Sequence, residues 1–167
     1  MKPAHRSFLL VHQGIVPALF NLVLNGAIAW ALFRKASEVP LWGESSVGVD
    51  LIATAAILPF ATALIVSRIV AGQVRSGRLE PLAGEHLPAH GLSHRPAVVR
   101  GAWLALAALV FAAFPVVLAL ELGHARPFAV AAFVGFKAVW AALLAAAVSP
   151  LIGWWALAHA SRAARAD

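Results

Sequence analysis

The sequence predicts an all-α protein, a transmembrane four-helix bundle of up-down topology with both termini in the cytoplasm. Three observations predict it. The 167 residues are 62% hydrophobic with a mean hydropathy of +0.85, where soluble domains are usually about 45–50% apolar. The apolar residues fall into four long blocks rather than short alternating runs. Lys and Arg gather on one set of connecting segments. A chain this small cannot hide such an excess inside a core, so its apolar surface faces lipid. Residues 1–167 then form a single transmembrane domain, with no room for a second, soluble one.

A hydrocarbon core of about 30 Å takes roughly 20 helical residues. The first block, about 8–33, lies between Arg6 and Arg34. The second, about 51–71, follows Asp50 and ends before Arg75. The third, about 102–120, lies between Arg100 and Glu121, and the fourth, about 128–158, between Arg126 and Arg162. Strands of a β-barrel would be about 10 residues long and alternating, so these blocks read as helices. The first is longer than the 7–15-residue apolar region of a signal peptide, and it reads as a retained helix.

Orientation follows from the basic residues. With the N-terminus inside, the cytoplasmic set is Lys2, Arg6, Arg68, Arg75, Arg78, Arg95, Arg100, Arg162 and Arg165, nine in all, against three outside, Arg34, Lys35 and Arg126. Trp30 and Trp42 then flank the outer interface, and Trp103, Trp154 and Trp155 lie near the inner one, as aromatic belts do. The +6 net charge is thereby a topology signal rather than a nucleic-acid footprint, and the expected partner is the lipid bilayer. The cytoplasmic loop, about 72–99, carries Pro81, Pro88, Pro96, Gly77, Gly84 and Gly91, which argues against a long helix. The outer loop after Arg34 is expected to lay a short turn on the membrane surface. Each block contains one proline, Pro17, Pro59, Pro115 and Pro150. Pro59 and Pro150 each stand nine positions before a polar residue, Arg68 and His159, a faint sign of a duplicated hairpin.

Helix one is the most polar. Gly14, Asn21 and Asn25 project within a narrow arc at about 100° per residue. An amide facing lipid is costly, so this face is expected to point into the bundle, as a binding site or as ordinary interhelical hydrogen bonding. Asp50 opens helix two. Lys137, counted back from the end of the long fourth block, falls at a similar depth. An Asp50–Lys137 ion pair is therefore expected, against the alternative of a snorkelling lysine and a capping aspartate. The residues proposed for binding are Asn21, Asn25, Asp50 and Lys137.

Seven histidines raise a metal or haem reading. His86, His90 and His94 have i, i+4, i+8 spacing, but Pro88 and Gly91 break the helix that would align them. His12 and His159 fall near one interface on different helices, as haem ligands would. No carboxylates recur in support, so these are weak metal candidates and no cofactor is expected. The absence of cysteine excludes disulfides and thiolate sites. Gly-x-Ser-x-Gly, P-loop and dinucleotide fingerprints are missing, which points away from enzymatic activity.

Asn25-Gly26-Ala27-Ile28-Ala29-Trp30, Val39-Pro40-Leu41-Trp42-Gly43, and Asp50-Leu51 through Thr54 to Leu58-Pro59-Phe60 resemble a group of small four-helix bacterial membrane proteins with no assigned function. Leu92 to Gly101, with Arg95-Pro96 and Arg100-Gly101, is similar to the loop before their third helix. The resemblance covers most of the chain and implies a multi-pass protein of the bacterial inner membrane. The three loop histidines depart from that pattern. Two functions remain in view, with a haem- or metal-binding protein third. One is a non-enzymatic self-associating or accessory subunit, a homo-oligomer or a companion of another membrane protein, supported by Ala105, Ala108, Ala112 and Ala145 to Ala147. The other is a small dimeric transporter with its polar site on helix one.

Overall fold

The computed structural model describes residues 8–88 and 91–166. Four helices are long and apolar enough to cross a membrane: α1 (Leu10–Phe33), α2 (Val47–Arg75), α3 (Ala97–Leu122) and α4 (Val130–Ala166). Their outward surface is apolar. Phe111 is 80% exposed, Val23 70% and Leu122 70%, an arrangement that suits lipid and not water.

Helices α2 and α3 run past their apolar blocks at both ends, and α4 past the end of its block, because a helix ends where its backbone is capped and not where hydropathy falls. Ser46, in extended conformation, accepts the Val49 N–H on its hydroxyl, so α2 begins before Asp50. Helix α4 continues beyond Ala158 to Ala166. Two of the four prolines sit just after a widened, π-helical stretch: Phe8–Ile15 precedes Pro17, and Leu109–Ala113 precedes Pro115. A proline ring collides with the carbonyl four residues back, and a wider turn relieves that collision.

Helix α4 is the central element. It packs on α1 and on α2, and α2 packs in turn on α3, whereas α1 and α2 hardly touch. At one end, Phe33 stacks edge-on against the fully buried Phe133, with ring centroids 4.9 Å apart, beside Val39, Val47 and Leu51. At that end the two short connections form a two-stranded ribbon. β1 (Glu38–Val39) runs antiparallel to β2 (Phe128–Ala129), pairing Val39 with Phe128. The first loop is therefore pinned to the start of α4, with Val39 fully buried, rather than laid out as a free surface turn.

At the other end the long loop folds back on α4. Leu82 packs among Val70, Val74 and Leu157, and its N–H donates to Ser161 Oγ at 2.9 Å. Arg162 donates to the carbonyls of Pro88 and Ser93, and Arg165 to that of Leu82. Two short 3₁₀ turns, Gly84–His86 and Leu92–His94, replace any long helix there. Gly101 brings α3 close to α2: a Cβ on it would fall 3.1–3.2 Å from Phe60 and Ala63.

Candidate intramembrane binding site

Because α1 and α2 both lean on α4 and hardly touch each other, a groove of about 620 Å³ opens between them. One wall is the α1 face through Phe20, Leu24 and Ile28. The other is the α2 face through Ile57, Ala61 and Ile65. It extends along α2 from Asp50 to Val66, about 24 Å at 1.5 Å per residue. The lining is apolar apart from a few polar groups, and these include Asn21, Asn25, Asp50 and Lys137 together with Thr54 and Thr62.

Lys137 rises from α4 at the floor of this groove and donates to Asp50 Oδ2. The lysine side chain is 2% exposed and the aspartate 11%, so the lysine does not snorkel to water. Each charge is a desolvated group that the other compensates; an unpaired charge at such a place is costly. On α1, one turn apart, Asn25 Nδ2 donates to Asn21 Oδ1 at 3.1 Å, and Asn21 Nδ2 donates to the Pro17 carbonyl at 2.9 Å. The amides thus form a short chain along one face. The sequence pointed to all four residues, and the fold brings them to one groove, the amides on its α1 wall and the ion pair at one end.

Other residues fall elsewhere. Arg68 is exposed and lies outside the groove lining. His12 and His159 are both on exposed positions. His94 Nε2 lies 3.1 Å from the Pro88 carbonyl, His86 occupies the first 3₁₀ turn, and His90 lies outside the described residues. Among the described residues no group of three or more His, Cys, Asp or Glu is placed to hold a metal ion. Of the alanines expected to face other chains, Ala108 and Ala145 are buried within this one, where they let its own helices approach.

Besides the buried serines at the helix ends and in the loop, three buried polar side chains escaped the sequence reading. Arg100, counted there as a cytoplasmic anchor, lies inside α3, 3% exposed, and donates to Ser67 Oγ of α2 at 2.9 Å. Gln13 and Ser149 are buried at 8% and 0% exposure, and Gln13 Oε1 and Ser149 Oγ have no hydrogen-bond partner. Serine in an apolar run gives no signal of which way it faces. Gln13 was visible, since it shares the i, i+4 rhythm of Pro17, Asn21 and Asn25.

These features define a class: a multi-pass membrane helix bundle. No family model, curated protein or solved structure matches the chain.

Proposed function

We propose that this chain is a non-enzymatic membrane protein that takes an amphipathic solute sideways from the bilayer into the α1–α2 groove, and that it works as a small transporter or carrier. The observation that carries this reading is the groove itself. It is apolar along most of its length, as an acyl or isoprenoid chain requires, and it ends on a desolvated Asp–Lys pair beside two amides. Ligand sites are typically apolar clefts with a few convergent polar groups. Intramembrane charges tend to mark substrate paths. Self-association or docking on another membrane subunit is the less favoured reading, because some of the small residues it relied on are already used within the chain.

The topology that goes with the proposal is up-down with both termini cytoplasmic, on the nine-to-three distribution of basic residues. The bacterial inner membrane is the location implied by the resemblance. In this orientation the ion pair belongs to the outer half of the bilayer. The test is photolabelling in vesicles with a single-chain phosphocholine amphiphile bearing a diazirine on its tail. Labelling concentrated on Ile28, Ile57, Ala61 and Ile65 supports the proposal. Labelling spread evenly over lipid-facing residues such as Phe111 and Leu143 contradicts it.

A further inference from the structure

The α1–α4 seam carries a second feature, which shares Asn21, Asn25 and the ion pair with the groove. A Cβ on Gly26 would meet Ala138 Cβ at 3.3 Å, and a Cβ on Gly153 would fall 2.6 Å from Gln13 Cγ. Going back along α1 from Gly26 to Gln13 is therefore matched by going forward along α4 from Ala138 to Gly153, and Gln13 occupies the room that Gly153 leaves. Ser149 stands one turn before Gly153 on the same face, which sets it opposite Val16 and Pro17. Lys137, one residue before Ala138, comes opposite Ala27. Read from one end, the order of buried polar groups is Gln13, Ser149, Asn21, Asn25 and the Lys137–Asp50 pair.

That is one polar group for about each turn of helix, or about 5.4 Å. A single water with hydrogen bonds of about 2.8 Å on either side bridges such a step. The two groups at the far end are the ones with orphaned oxygens, Gln13 Oε1 and Ser149 Oγ. Leaving a buried polar atom unpaired is unfavourable, and small polar niches in proteins hold water. A dehydrated cation would need about six oxygens around it, more than this seam offers, whereas a water needs two to four partners. The segment that carries Gln13 is the π-helical stretch before Pro17, whose ring lacks the N–H that would have engaged the Gln13 carbonyl.

We propose that the α1–α4 seam is hydrated and delivers protons from the Gln13 end of the bundle to the Asp50 carboxylate. A hydronium in the seam gives its proton to an Asp50 carboxylate oxygen and leaves as water. Lys137 keeps its ammonium charge and loses its counter-charge, so the pair opens. Lys137, from α4, is the charged group that faces Asp50, and α1 offers only amides. Asp50 sits in the first turn of α2, so the seam gives it access from the side opposite its own end.

The chain has no cysteine, which makes the test clean. Ser149→Cys is nearly isosteric, and Ala147→Cys sits two residues away on an exposed, lipid-facing position. Aqueous silver ions react with a thiol that water reaches. The expected result is modification of Ser149→Cys at least about tenfold faster than Ala147→Cys, since thiolate forms only where there is water. Equal, slow reaction of both indicates a dry or sealed seam and overturns the proposal. A second measurement reads the proton itself. Vesicles captured through a tag on the C-terminus present the Gln13 end outward, and acid is added to that side alone. The infrared band of a protonated carboxyl that is missing in Asp50→Asn is expected to rise quickly in the native chain and about tenfold more slowly in Gln13→Leu/Ser149→Ala. An unchanged rate in that variant refutes the path.

Discussion

Replacing Lys137 by methionine removes a charge and keeps most of the side-chain volume. The partner, Asp50, is 11% exposed and the lysine 2%, so the aspartate cannot recover its lost partner from bulk water without rearrangement. Removing one member of a buried pair typically costs about 3–5 kcal/mol, chiefly through the charge left behind, which is a change of about a hundredfold or more in the folding equilibrium. Replacing both, as Asp50→Leu/Lys137→Met, leaves an apolar contact and is expected to cost less than Lys137→Met alone. The interaction energy between contacting residues of this kind lies within about 0.5–3 kcal/mol, and this pair is expected near the top of that range. The assay is reversible unfolding in bicelles by steric trapping, run as a double-mutant cycle. Two small single effects that simply add would refute the reasoning, since they would mean that the charges do not depend on each other.

Three further outcomes are expected. Asn21→Leu removes two hydrogen bonds within α1 and Asn25→Leu one, at a stability cost of about 0.5–1.5 kcal/mol per bond. Their larger effect is on the groove: photolabelling by the phosphocholine probe should fall severalfold in a chain that still folds. Gly101→Val is expected to destabilise the α2–α3 contact by about 1–3 kcal/mol through overpacking against Phe60 and Ala63, read as a lowered Tm in detergent. Ser161→Ala/Arg162→Ala removes bonds that tie the loop to α4. Limited proteolysis should then cut between residues 79 and 96 well before the helices, in contrast to a protected loop in the native chain.

The spans were legible because hydropathy is a local property: a run such as Ala102 to Leu120 must be in lipid whatever it packs against. The Asp50–Lys137 pair was legible for a related reason. Few charges lie inside the spans, each needs compensation, and counting residues gives their depth. Asn21 and Asn25 announced themselves by spacing. What escaped depends on the direction a side chain takes once helices are assembled. Arg100 counts as a basic residue at a boundary, yet its burial follows from Gly101 letting α3 close on α2. The ribbon between Val39 and Phe128 involves two residues per strand, too few to leave a pattern. The docking of the long loop rests on Arg162 and Arg165 donating to loop carbonyls and on Ser161 Oγ accepting the Leu82 N–H, and a backbone amide is the same in every sequence. The groove itself arises from the sparse contact between consecutive helices, which no sequence rule for neighbours anticipates.

The most direct test of the binding groove is native mass spectrometry of the chain released gently from its host membrane, beside the variant Ala61→Trp, whose indole fills the space between α1 and α2. One amphipathic molecule is expected to be retained per native chain and lost from the variant, with the variant otherwise folded. Equal retention by both chains, or a bare native chain under conditions that preserve bound lipid elsewhere, would contradict it.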